Sequence, residues 1–196
     1  MEQMKPHVHP LHVRWHCYIR RENNIPMKEE RFKIMSSHEL ITSAIFAAAV
    51  LVATLIIRIP VPATSGYINL GDSMVFVSAL LFGARIGGVA GGVGSALADI
   101  LGGYGSWAPF TLIIKGVEGF VAGYIAKRGN NIPYSIVAVI VGGIIMVTGY
   151  FLVEVVLYGF PAAIVELPGN IFQAASGLII AVPLVTAIKK AMPERF

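Results

Sequence analysis

The chain has 196 residues, of which 56% are hydrophobic and only 13% charged, and its mean hydropathy is +0.72. A soluble domain carries roughly 25% charged residues, so too few polar side chains are present to cover a water-facing surface, and a soluble globular protein is excluded. The net charge of +4 does not point to nucleic acid, because the basic residues sit in tails and short loops, where they orient a membrane protein.

Residues 1–37 form a basic tail expected to be disordered and cytoplasmic, or a non-native extension. Seven of the fifteen Lys and Arg residues lie in the first 35 positions. His7, His9, His12, His16 and Cys17 are of the types that ligate metals, but their surroundings are those of a disordered tail, and no metal or cofactor is expected. Met27 and Met35 are alternative starts. Cys17 is the one cysteine, so no internal disulfide can form. No cleavable signal is evident.

The membrane domain is expected over residues 38–190, with a cytoplasmic tail at 191–196. Helices are predicted at 38–57, 72–84, 86–102, 108–127, 133–158 and 169–190. The second is short for a span, since about 20 residues are needed, and Asp72 is placed to cap it. Residues 58–71, 102–108 and 159–168 are expected as loops, the first too rich in Pro and Gly for helix. An all-α bundle of six transmembrane helices follows. Arg85, Lys127, Arg128, Lys189, Lys190 and Arg195 share the side of the N-terminal tail, whereas the other side receives Arg58. Both termini are therefore expected in the cytoplasm.

Small residues recur at four-residue spacing, which lets helix backbones approach in lipid. Gly87 with Gly91, Gly88 with Gly92, and Gly94 with Ala98 suit packing inside the bundle, as do Gly119 and Gly123. The stripe Ala44 and Ala48 on the first helix suits either internal packing or a partner protein.

Polar groups at membrane depth need a reason, because each charge there costs about 3 kcal/mol or more. Lys115 and Glu118 share a helical face and can pair, although Asp99 is an alternative partner for Lys115. Glu154 follows Tyr150 by one turn, and Asn170 precedes Gln173 by three residues. At about 1.5 Å per residue, all of these fall in the outer half of the membrane. They converge on a polar pocket, or else Lys115 is merely ion-paired and Asn170 caps the sixth helix. Tyr67 and Trp107 lie in outer loops, where they serve as an interfacial belt or as a lid; Tyr104, Tyr158 and Phe160 fit the belt. No P-loop, HExxH or GxSxG motif occurs, so neither ATP hydrolysis nor hydrolase chemistry is expected. An acid–base enzyme built on Lys115 and Glu118, an assembly subunit without ligand and an ion-coupled carrier are competing readings.

Several stretches resemble the S components of energy-coupling factor (ECF) vitamin transporters. They are Gly66-Tyr67-Ile68-Asn69-Leu70-Gly71-Asp72, the run from Gly83 to Gly87 leading to Gly94 through Asp99, Trp107 through Gly119, and Pro168 through Gln173. The Ala44 and Ala48 stripe matches too. The resemblance covers about residues 38–190. It implies a non-enzymatic, multi-pass subunit of a prokaryotic cytoplasmic membrane that captures a vitamin or precursor from outside. It further implies assembly with a transmembrane coupling protein, met through Ala44 and Ala48, and with two ATPases. The first loop would gate the pocket, and the ligand contacts would fall on Tyr67, Asn69, Trp107, Lys115, Tyr150, Glu154, Asn170 and Gln173. A pocket offering a base, acids and amides suits a hydroxymethylpyrimidine or B6-like heterocycle, and also riboflavin.

Overall fold

A computed structural model describes residues 35–129 and 131–192. The His-bearing N-terminal segment and residues 193–196 lie outside the described residues, and with them the metal-tail and start-site expectations.

Six helices and one small hairpin make up the described chain. Helix α1 spans Ser37–Ile56 and opens with a capping box. The Ser36 hydroxyl accepts from the Glu39 amide, and the Glu39 carboxylate accepts from the Ser36 amide at 2.8 Å. These bonds satisfy amides that the first turn cannot pair internally. Strands β1 (Arg58–Val61) and β2 (Gly66–Asn69) follow. Helix α2 is Gly71–Phe82, α3 is Ala84–Gly102 and α4 is Ala108–Ala126. Helix α5 is Ile132–Tyr158 and α6 is Phe160–Ala191. Among the described residues, α1, α4, α5 and α6 are long and apolar enough to cross a membrane.

Helix α2 has 12 residues, about 18 Å at the helical rise. It is short because it is interior: Val75, Phe76, Ala79 and Leu80 are all at most 1% exposed. The Phe76 ring centres the core, with Ala122, Ala138, Val139 and Ala181 in the same cluster. Glycines make room for it. A Cβ on Gly142 of α5 would stand 2.7 Å from Phe76 Cε1, and one on Gly177 of α6 would stand 2.5 Å from Cδ2.

The glycine-rich face of α3 packs on α4. A Cβ at Gly91 would approach the Lys115 carbonyl to 2.8 Å, and one at Gly92 the Leu112 carbonyl to 2.7 Å. Gly119 sits against the Gly87 backbone in return. Backbone-to-backbone contact of this kind is what small residues four apart permit. Gly94 instead receives α1, where its Cβ would meet the Ala47 carbonyl at 2.5 Å. Helix α1 therefore buries Ser43, Ala47, Val50 and Thr54. Ala44 and Ala48 lie on its exposed side.

Three expectations need correction. Residues 58–71 are not an irregular loop but an antiparallel hairpin, with Arg58 opposite Asn69 and Val61 opposite Gly66. Four-residue strands are too short for their alternation to stand out from the flanking prolines, and Pro60 is tolerated because each strand of a two-stranded ribbon has a free edge. Residues 159–168 are not a loop either. Gly159 alone turns the chain at φ 86°, a conformation that costs glycine little. Helix α6 then starts at Phe160, with Pro161 in its first turn, where the missing N–H is no loss. Pro168 lies inside α6, so its position does not mark the helix start. Finally, Asp72 is not a cap: the N-cap of α2 is Leu70, without a side-chain bond.

Candidate polar cavity beneath the hairpin

The hairpin is fastened to two helices. The Tyr67 phenol donates to Asp99 Oδ1 on α3 at 2.6 Å. Thr64 donates its hydroxyl to Glu166 of α6. The Asn69 amide donates to Gln173 Oε1 of α6 at 2.9 Å. The Asn69 side chain accepts from the Gly71 amide at 2.8 Å, a local turn bond that sets the start of α2. Burial and the Asp99 carboxylate hold the Tyr67 phenol above its ordinary range, so it stays a donor.

Beneath the hairpin lies a cavity of about 30 Å³, water-sized because side chains fill most of the space. All eight candidate residues line it: Tyr67 and Asn69 from β2, Trp107 and Lys115 from α4 and the turn before it, Tyr150 and Glu154 from α5, and Asn170 and Gln173 from α6. Asn170 is ten residues past the start of α6, about 15 Å along it, so it does not cap that helix. Helix α6 begins nine residues before the expected 169, and Asn170 lines the same cavity as Lys115.

Lys115 is 2% exposed and pairs with Asp72 and with Glu118, the latter at 3.0 Å. Asp99 is not its partner. Gln173 Nε2 donates to both Asp72 oxygens at 3.2 Å, so the amide joins the ion cluster to the hairpin. Lys115 also faces the Tyr150 ring at 5.7 Å, and Tyr150 donates to Thr111 Oγ1 at 3.1 Å. Asn170 Nδ2 donates to Glu154 Oε1 at 3.1 Å.

Trp107 is 5% exposed, a wall residue rather than part of a belt. Its ring stacks on Tyr158 at 5.9 Å and stands 6.0 Å from Tyr150. Tyr67 packs on Tyr104 at 4.5 Å. Tyr158 and Phe160 are exposed, as a belt requires.

Thr54, Ser95, Asp99, Thr111 and Glu166 also line the cavity and were not among the candidates. Spacing contained part of the signal. Ser95 and Asp99 are four apart on α3, Thr111 and Lys115 four apart on α4, and Glu166 and Asn170 four apart on α6, so these four new residues each share a face with another wall residue, whereas Thr54 does not. Glu166 was hidden by the assignment of its segment to a loop.

A polar cavity inside an apolar helical bundle, roofed by a hairpin, is the arrangement of a membrane-embedded solute-binding subunit. Residues 34–190 match the family described as ECF-type riboflavin transporter, S component, and the chain belongs to that family. It is a multi-pass membrane protein and a transporter component. Over 142 residues it is 50% identical to a Pyrococcus woesei protein described as an uncharacterized protein in the gap 3' region, covering 72% of this chain and 95% of that one. Over 148 residues it is 32% identical to the thiamine precursor transporter HmpT of Lactococcus lactis subsp. cremoris, covering 75% of this chain and 85% of that relative.

Proposed function

We propose that this chain captures a vitamin or vitamin precursor from outside the cytoplasmic membrane and delivers it through an ECF importer made with a coupling protein and two ATPases. The observation that carries the reading is the buried polar cavity, whose walls come from the hairpin and from helices α1, α3, α4, α5 and α6. Buried polar groups discriminate, because a wrong ligand leaves them unpaired. Tyr67, Asn69, Trp107, Lys115, Tyr150, Glu154, Asn170 and Gln173 form the binding set. The preferred substrate is a small heterocycle of the hydroxymethylpyrimidine or B6 kind, which accords with a relative named for thiamine precursor transport; riboflavin is the alternative that the family description suggests.

In this account all six helices cross the membrane and both ends of the chain are cytoplasmic. The hairpin is the outer gate, since a vitamin-sized ligand enters only when it lifts. Ala44 and Ala48, exposed on α1, meet the coupling protein. Thermal unfolding of the purified chain against vitamins and precursors tests the reading. A ligand at about 100 times its Kd adds roughly 2.7 kcal/mol, which raises Tm measurably. Silence across riboflavin, thiamine, hydroxymethylpyrimidine, B6 vitamers, biotin, folate and pantothenate contradicts it.

A further inference from the structure

The cavity's charges do not balance. Lys115 is its one lysine, and both Asp72 and Glu118 already hold that ammonium. Asp99, Glu154 and Glu166 also face the cavity. They are 3%, 1% and 4% exposed. Among the described residues no lysine or arginine pairs with any of the three. Arg58 does not supply the missing charge: it is exposed, its Nη1 donates to the Gly102 carbonyl at 3.2 Å, and its guanidinium lies 6.0 Å from the Tyr67 ring centre.

Four buried wall atoms have no hydrogen-bond partner: Thr54 Oγ1, Asp99 Oδ2, Glu154 Oε2 and Trp107 Nε1. Glu154 Oε2 is an acceptor whose sister oxygen is taken by Asn170. Trp107 Nε1 is a donor on a side chain that is 5% exposed. Leaving such groups unpaired is costly, and most so for a charge. The protein thus presents unmatched carboxyl oxygens on Glu154 and Asp99, an unmatched indole N–H and more carboxyl groups than cations in one space.

Resting on the capture reading above, we propose that the site selects an uncharged or cationic heterocycle bearing an amino group that donates to Glu154, with a ring or hydroxyl acceptor set to meet Trp107 Nε1, and that it rejects phosphate esters. An amino group beside a ring nitrogen satisfies the acceptor and offsets the negative field. A carbonyl at the same place directs its lone pairs at a carboxylate. A phosphate monoester brings up to two further negative charges into a space already acidic, with no cation free to receive them.

The probes are a hydroxymethyl aminopyrimidine, its 4-oxo analogue and its phosphate monoester, titrated with riboflavin as a reference into the purified wild-type chain. A hydrogen bond to a charged group is worth enough for the amino form to bind about 10- to 100-fold tighter than the oxo form. The phosphate ester is expected to leave the bound amino form undisplaced. The Glu154→Gln variant keeps an oxygen for Asn170 and gains a donor, so the preference for amino over oxo collapses or inverts. Equal or tighter binding of the oxo analogue or the ester by the wild type overturns the inference, as does riboflavin outcompeting the aminopyrimidine; each of these leaves the capture reading standing. Retention of the full preference in Glu154→Gln overturns the role given to Glu154. Failure of every vitamin and precursor to bind removes the capture reading itself.

Discussion

Lys115 shows how one residue serves fold and site together. Its ammonium is held by Asp72 and Glu118 at the wall of the cavity. Removing one partner of a buried ion cluster costs more than the cluster contributes, because the remaining charges lose their compensation. Lys115→Met is therefore expected to destabilise the chain by about 3–5 kcal/mol. The double variant Lys115→Met with Asp72→Asn is expected to recover a substantial part of that loss. Unfolding in detergent measures both, and a double variant no more stable than the single contradicts the assignment. Sequence spacing revealed the Lys115 to Glu118 pair, because three residues on a helix share a face. The contact with Asp72 was not legible: it joins residues 43 apart in the chain, and an acidic residue near a helix start reads as a cap. Lys115, Tyr150, Glu154, Asn170 and Gln173 were recognisable for a simpler reason, since polar side chains stand out in apolar segments and their depths can be counted, whereas Tyr67 and Trp107 stood out only as loop aromatics and Asn69 only through the family resemblance.

The hairpin and the glycine seam do different work at the scale of elements. The hairpin is tied down by Tyr67 to Asp99, by Thr64 to Glu166 and by the Asn69 amide to Gln173. Replacing Tyr67 by Phe and Thr64 by Val removes two of these bonds. Amide exchange over residues 58–69 is then expected to accelerate while α4 and α5 keep their protection; a uniform rise across all helices argues against a local gate. The α3 to α4 seam leaves no room for a side chain at Gly87, Gly91, Gly92 or Gly119. Gly91→Leu is expected to cost about 1–3 kcal/mol or more by overpacking, because its first carbon already stands 2.8 Å from the Lys115 carbonyl. Thermal unfolding reads this out, and an unchanged Tm contradicts the seam. The glycine spacing made this seam legible. The hairpin was not, because its strands are four residues long. The extension of α6 back to Phe160 escaped too, since Pro168 and Gly169 look like a boundary while Gly159 makes the turn alone.

For the whole molecule, the proposed function divides the labour between faces. The polar cavity sits under the hairpin, whereas Ala44 and Ala48 occupy the exposed side of α1, away from the buried stripe of Ser43, Ala47, Val50 and Thr54. Ala48→Trp is expected to abolish co-purification with the coupling protein while ligand binding persists. Asn170→Ala with Gln173→Ala is expected to weaken binding while assembly persists. Loss of both properties in both variants refutes the division. Uphill import, as proposed, requires a separate energy source, since tight capture alone cannot drive release. The most direct measurement is ATP-dependent accumulation of the bound vitamin or precursor in proteoliposomes holding this chain with or without the coupling protein and ATPases. Accumulation only with the complete set and ATP is predicted. Equal accumulation by this chain alone, or none by the complete set with a ligand shown to bind, contradicts the account.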